Sequence, residues 1–193
     1  MFAVPRRSLH GSVELRVTYP GGVAVAPGAQ LSRAATAAKP DVMLVGADAG
    51  SSYTLLMVDP DAPDPNSPTF RSWLHWLVVD VPGASGGPAA GRTLTQYKGP
   101  SPPAGTHRCA RSSAMRTHVV VCRICWRRRL LTWPACARRY IFLLFQQPAP
   151  VGAAHAAQLA PPERNSFNVR TFAAANKLQG PVGVNFFLAS KAQ

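Results

Sequence analysis

Residues 53–79 read YTLLMVDPDAPDPNSPTFRSWLHWLVV, two apolar segments on either side of a proline-rich acidic turn. Tyr53 to Val58 is an apolar run rich in strand formers, broken abruptly by Asp59-Pro60-Asp61-Ala62-Pro63. Side chains alternate in extended backbone, so Asp59 and Asp61 are expected to point the same way. The prolines fix φ and bias their preceding residues toward extended conformations, which stiffens the acidic corner. A second strand reads Trp73 to Val79. Period two puts Trp73, His75 and Leu77 on one face, and Leu74, Trp76 and Val78 on the other. The expectation is a rigid pair of acids beside a histidine framed by aromatic rings.

Further strands flank this centre. Val13 to Tyr19 alternates and ends at the turn signal Pro20-Gly21-Gly22. Val23 to Val25, Asp41 to Val45 and Thr93 to Tyr97 read as short strands, and Leu31 to Ala38 as Ala-rich and weakly helical. Tyr140 to Phe145 is unbroken and apolar, as a central strand buried on both faces would be. Asn168 to Leu178 reads as a helix with Phe172 and Leu178 inward, and Val182 to Leu188 as a closing strand.

A chain of 193 residues fits one domain with a proper core. Its 19 Pro and 15 Gly supply turns for a β-rich fold rather than a helical bundle. No apolar run nears the ~20 residues of a membrane span. Residues 1–12 are expected to be a disordered tail, too short to be read as a transit peptide.

The net charge of +13 would ordinarily suggest a nucleic-acid or anionic-membrane partner. Its distribution argues otherwise. Arg111, Arg116, Arg123, Arg127, Arg128, Arg129, Arg138 and Arg139 all fall within residues 109–139, with no acid among them. The same block holds Cys109, Cys122, Cys125 and Cys136, all the cysteine of the chain. Charge and cysteine thus describe one segment, and the remainder is a mildly basic domain. Cys122-x-x-Cys125, with Cys109, His118 or Cys136, has partial zinc-site spacing but lacks a second close pair. Arg127 to Arg129 between Trp126 and Trp133 could grip nucleic acid. A disordered insert is the blander reading and the favoured one.

DPDAP followed by WLHW resembles the phosphatidylethanolamine-binding protein family, which includes plant flowering-time regulators and animal kinase inhibitors. Gly99 to Arg108, GPSPPAGTHR, matches that family's GPxPPxGxHR loop. Phe167 to Phe172 and Gly180 to Phe187 match its FNxRxF and GxPVAxxFF ends. Trp73 looks most like the mother-of-flowering branch. The resemblance implies an antiparallel β-sandwich, a large central sheet on a smaller one, with peripheral short helices. It also implies a ligand-binding pocket formed by Asp59, Asp61, His75 and His107, walled by Pro63, Trp73, Pro102, Pro103 and Tyr140. Arg71 is a candidate partner contact.

In the family, the His-Arg of that loop runs directly into an aromatic residue and a buried strand. Here the 31 residues from Cys109 to Arg139 intervene before Tyr140, as a retained intron would. A carboxylate accepting one histidine N–H favours imidazolium, which leaves the other N–H for a phosphate oxygen. Trp73 offers a face to a cationic head group. The expected function is non-catalytic: a phosphate or phospholipid-head-group binder that regulates kinase or transcription complexes. It is expected as a cytoplasmic or nuclear monomer, without cofactor, metal or direct DNA contact. The alternatives are hydrolysis or protease inhibition through the Asp/His pocket, and a zinc or nucleic-acid role for the block. No G-x-S-x-G, H-E-x-x-H or Gly-rich phosphate loop supports catalysis.

Overall fold

The computed structural model describes residues 13–63, 68–101, 138–152, 156 and 159–189. They form strands β1 (Glu14–Tyr19), β2 (Val23–Ala24), β3 (Ala29–Leu31), β4 (Asp41–Val45), β5 (Ser52–Asp59) and β6 (Trp73–Pro82). Then come β7 (Arg92–Thr95), β8 (Arg138–Gln146), helix α1 (Val169–Ala175) and β9 (Gln179–Ala189). A small sheet has the order β2-β1-β4, and a large one the order β3-β9-β8-β5-β6-β7. The pairings are antiparallel except that β3 runs parallel to β9. The expected sandwich is present, with one parallel edge strand.

Alternation along the central strands builds two cores. Tyr53, Leu55 and Met57 of β5, with Tyr140, Phe142 and Leu144 of β8, face the small sheet's Leu15, Val17, Val42 and Leu44. Leu56, Val58, Ile141, Leu143 and Phe145 pack on the opposite face under Phe167, Phe172 and Leu178. β8 is therefore central and buried on both sides, as its unbroken apolar run requires. Asn185 of β9 ties the sheets together: its Nδ2 donates to the carbonyls of Leu15 (2.9 Å) and Val25 (3.2 Å).

α1 is shorter than its apolar pattern suggests. Asn168 caps it by accepting from the N–H groups of Arg170 and Thr171. Leu31–Ala38 is not helical. It begins in β3 and continues as turns, held by Thr36 N–H and Oγ1 donating to the Ser32 carbonyl.

Two departures shape the site. Met57 pairs with Trp76 and Val58 with Leu74, so His75 is the extra residue of a β-bulge. A bulge shifts the side-chain phase by one. Leu77 therefore joins Leu74 in the outer core instead of sharing a face with His75. Trp76 and His75 both turn inward, His75 edge-on to Tyr140. The second departure concerns the Cys109–Arg139 block. Its last two residues belong to β8, where Arg138 pairs with Ala189 and Arg139 with Leu188. The rest of the block, with its cysteines and the zinc and nucleic-acid readings, lies outside the described residues, as does the 1–12 tail.

Candidate functional site

The acidic corner forms where β5 ends. Asp59 Oδ1 accepts the N–H of Asp61 at 2.8 Å, a local turn that prolines on either side of Asp61 reinforce. Arg71 braces it from outside, its Nε donating to the Pro60 carbonyl at 2.8 Å. Arg71 thus has a structural task, whatever partner its exposed side also meets. Both carboxylates are buried, Asp59 at 1% exposure and Asp61 at 4%, and both face the start of β8.

Two arginines meet them there. Arg138 Nη1 donates to Asp59 Oδ2 at 3.3 Å, and Arg138 itself is 6% exposed. Arg139 grips Asp61 with its backbone N–H (3.1 Å), Nε (2.8 Å) and Nη2 (2.5 Å). The bidentate fork suits a carboxylate. The negative charge of the corner is thereby matched from within the chain. Burial still pushes the Asp59 carboxyl up to about 6, against the opposing hydrogen bond from Asp61 and the charge of Arg138.

His75 faces this group across the Tyr140 ring, with centroids 5.1 Å apart and planes at 79°. Its Nδ1 lies 2.6 Å from the Lys98 carbonyl. A carbonyl only accepts, so Nδ1 carries the proton and neutral His75 keeps a lone pair on Nε2. Burial lowers its pKa to about 4; the Lys98 carbonyl opposes this, and the charges of Arg164, Lys98 and Arg138 add to it. A carboxylate-supported imidazolium was the sequence expectation. The ring instead bonds a carbonyl while arginines take the carboxylates, so at neutral pH its Nε2 is an acceptor.

Tyr140 is fully buried and stacks on Phe187 at 5.3 Å. Burial, reinforced by the charge of Asp59, pushes its hydroxyl well above the ordinary phenol range. The Arg138 guanidinium lies close enough to oppose that rise, yet among the described residues neither the Tyr140 hydroxyl nor Arg138 Nη2, both buried, makes a well-formed hydrogen bond. Trp73 sits half-buried opposite Asp59, 6.5 Å from the Phe70 ring. The chain supplies a cation to Trp73 itself, Lys98 Nζ lying 5.5 Å from the ring centroid. Pro63 follows directly on the acidic corner. Pro102, Pro103 and His107 lie outside the described residues.

Asp59, Asp61 and His75 thus lie together beside Tyr140, while His107, the fourth member of the cluster that the resemblance implies, is outside the described residues. Three contributors escaped the sequence reading. Arg138 and Arg139 were absorbed into the basic block, although Arg-Arg-Tyr at 138–140 offers the same spacing that His107-Arg108 would have if joined to Tyr140. Arg164 anchors the back of the site, donating to the carbonyls of Leu74 (3.2 Å), His75 (3.1 Å) and Gln96 (2.8 Å). It holds the bulge in place.

Known proteins resemble the chain in sequence and in fold. The family model described as phosphatidylethanolamine-binding protein matches residues 21–110, ending where the basic block begins. The chain is 34% identical over 184 residues to CEN-like protein 1 of Nicotiana tabacum, covering 95% of this chain and 84% of that protein. It is 32% identical over 180 residues to Protein BROTHER of FT and TFL 1 of Arabidopsis thaliana, covering 93% and 81%. The structure of a phosphatidylethanolamine-binding protein from Plasmodium vivax superposes with a TM-score of 0.68 at 19% identity, over 98% of this chain and 91% of that one. Shared sequence across nearly its whole length, carried on a common two-sheet fold, makes this chain a member of the phosphatidylethanolamine-binding protein family.

Proposed function

We propose that this chain is a non-catalytic regulatory protein whose Asp59–Asp61–His75–Tyr140 pocket holds a phosphate group, free or on a phospholipid head. Its partners are then signalling proteins, kinases or transcription complexes, met as a monomer in the cytoplasm or nucleus and without direct DNA contact. The observation that carries this reading is the convergence of side chains from β5, β6 and β8 on one buried polar cluster. Such a cluster inside a close-packed core costs stability unless its groups are matched, which favours a functional origin. Likeness to Protein FLOWERING LOCUS T of Arabidopsis thaliana, 34% identical over 176 residues, supports the regulatory role. Trp73 is the residue that favours the mother-of-flowering branch.

The chemistry supports binding over turnover. Both carboxylates are held by guanidiniums, and His75 by a carbonyl. Neither arrangement activates a nucleophile or pairs a base with one. Trp73 and Trp76 lie close to His75 along β6, so occupancy of the pocket should perturb tryptophan emission. Phosphoethanolamine titrated into the protein is expected to give a saturable change that His75→Ala weakens. A flat titration sinks the proposal, and so does metal-dependent hydrolysis of a phosphoester by the purified chain.

A further inference from the structure

We propose that Arg138 is the oxyanion-binding residue of this pocket, presenting Nη2 beside the Tyr140 hydroxyl to a phosphate oxygen, so that a permanent guanidinium does the work expected of a second histidine. The inference rests on the phosphate-pocket reading above and names the group that performs it.

Without the 31-residue block, His107 and Arg108 would be the two residues ahead of Tyr140. With it, Arg138 and Arg139 hold those positions and continue β8 outward, paired to Ala189 and Leu188. Arg139 is spent on Asp61 through three hydrogen bonds. Arg138 is not. One of its amino groups reaches Asp59, at a long 3.3 Å, while Nη2 stays buried and unpartnered. The Tyr140 hydroxyl, two residues along the same strand, is in the same condition. A buried donor left unpaired is costly, and two on one wall mark the place where an acceptor belongs.

The occupant's chemistry follows. Asp59 and Asp61 balance the charges of Arg138 and Arg139, so a singly charged oxyanion brings no large excess into the pocket. A guanidinium amino group and a phenol can each donate to a phosphate oxygen. Neutral His75 contributes an acceptor at Nε2, which suits a hydroxyl on the ligand, whether the P–OH of a monoester or a hydroxyl of a glycerol arm. Lys98, already over Trp73, takes the place a head-group ammonium would seek. The phosphate group is therefore the recognised element.

The groups facing Arg138 are Asp59 and Asp61 from the corner, His75 from β6, and Arg139 and Tyr140 from β8. Asp59 at about 6, His75 at about 4 and Tyr140, raised above the phenol range, all keep their charge between pH 7 and 8.5, so binding through Arg138 should be flat there. A phosphate diester is the cleaner probe, because its own charge is constant over that window.

The test uses the full chain with two probes, inorganic phosphate and glycerophosphoethanolamine, followed by calorimetry. Arg138→Met combined with Asp59→Asn avoids stranding a buried carboxylate. Near-ultraviolet circular dichroism checks that each variant is folded. The double variant is expected to lose roughly tenfold or more in affinity for whichever probe the wild type binds, the loss of one charge-assisted bond. Arg138→His should restore binding with a new dependence on pH, weakening as its imidazole deprotonates, which a purely structural role of Arg138 would not produce. Equal wild-type affinity for both probes assigns the phosphate alone as the ligand feature, and preference for the diester assigns a lipid head. Affinity within about twofold of wild type in the folded double variant overturns the role of Arg138 and leaves the phosphate pocket standing. No binding of either probe by the wild type overturns both.

Discussion

Asp59 and His75 should cancel each other's effect on stability between about pH 4 and 6. Asp59 is 1% exposed, and its pKa rises on folding from 3.8 to about 6. In that window the folded carboxyl keeps a proton that the unfolded chain has released, so its favourable contribution is full below 3.8 and lost as pH rises through 6. At 1.36 kcal/mol per unit, the loss is about 3 kcal/mol. His75, 4% exposed, shifts the other way, from 6.5 down to about 4. Here the unfolded chain holds the proton, so stability grows as pH rises from 4 to 6.5, again by about 3 kcal/mol. The opposing slopes leave the wild type nearly flat.

Single variants should unmask each limb. Urea denaturation of Asp59→Asn at half-unit steps is expected to show stability climbing by about 3 kcal/mol between pH 4 and 6.5. His75→Gln should show the opposite, falling by a similar amount over pH 4 to 6. If the pH profiles of both variants keep the slope of the wild type, these two groups do not titrate as their burial requires, and the electrostatic account of the site fails.

Two further expectations concern the frame around the site. Replacing Asn185 by Leu removes the buried donor shared by the Leu15 and Val25 carbonyls and the acceptor of the Phe186 N–H, so chemical denaturation should show a loss of about 2–4 kcal/mol. A loss below about 0.5 kcal/mol would mean that the link between the sheets matters little. Arg164→Ala frees the carbonyls of Leu74, His75 and Gln96 and should cost about 2 kcal/mol. Hydrogen exchange should also speed up locally at the Lys98 amide, which donates to the His75 carbonyl; unchanged protection there would show that Arg164 does not hold the bulge.

Much of the scaffold could be read from local pattern, because its strands carry their own signal. β1 and β4 alternate cleanly, and β8 is a long apolar run that fits only the middle of a sheet. The acidic corner was visible for the same reason, since Asp-Pro-Asp-Ala-Pro dictates its own conformation. What escaped is set by partners remote in the chain. The bulge at His75 exists because β5 and β6 slip by one residue where they pair, and nothing in Trp-Leu-His-Trp alone announces it. β3 is three residues long and is a strand by virtue of β9 beside it. Arg138 and Arg139 looked like part of a charge run, because composition groups neighbours along the chain. Strand pairing assigns them to Ala189, Leu188 and the two acids instead.

The order β3-β9-β8-β5-β6-β7 also dictates when this protein can mature during synthesis. β5 emerges early, yet one neighbour, β8, begins only at Arg138, and β8 in turn waits for β9, which begins at Gln179. Until then Leu55, Leu56 and Met57 lack their β8 neighbours, and the β5–β6 hairpin keeps apolar surface open to solvent. The block before β8 lengthens that wait considerably, while adding only about 1 kcal/mol to closing the loop. Its burden therefore falls on the ribosome-bound chain and on chaperones rather than on the finished fold.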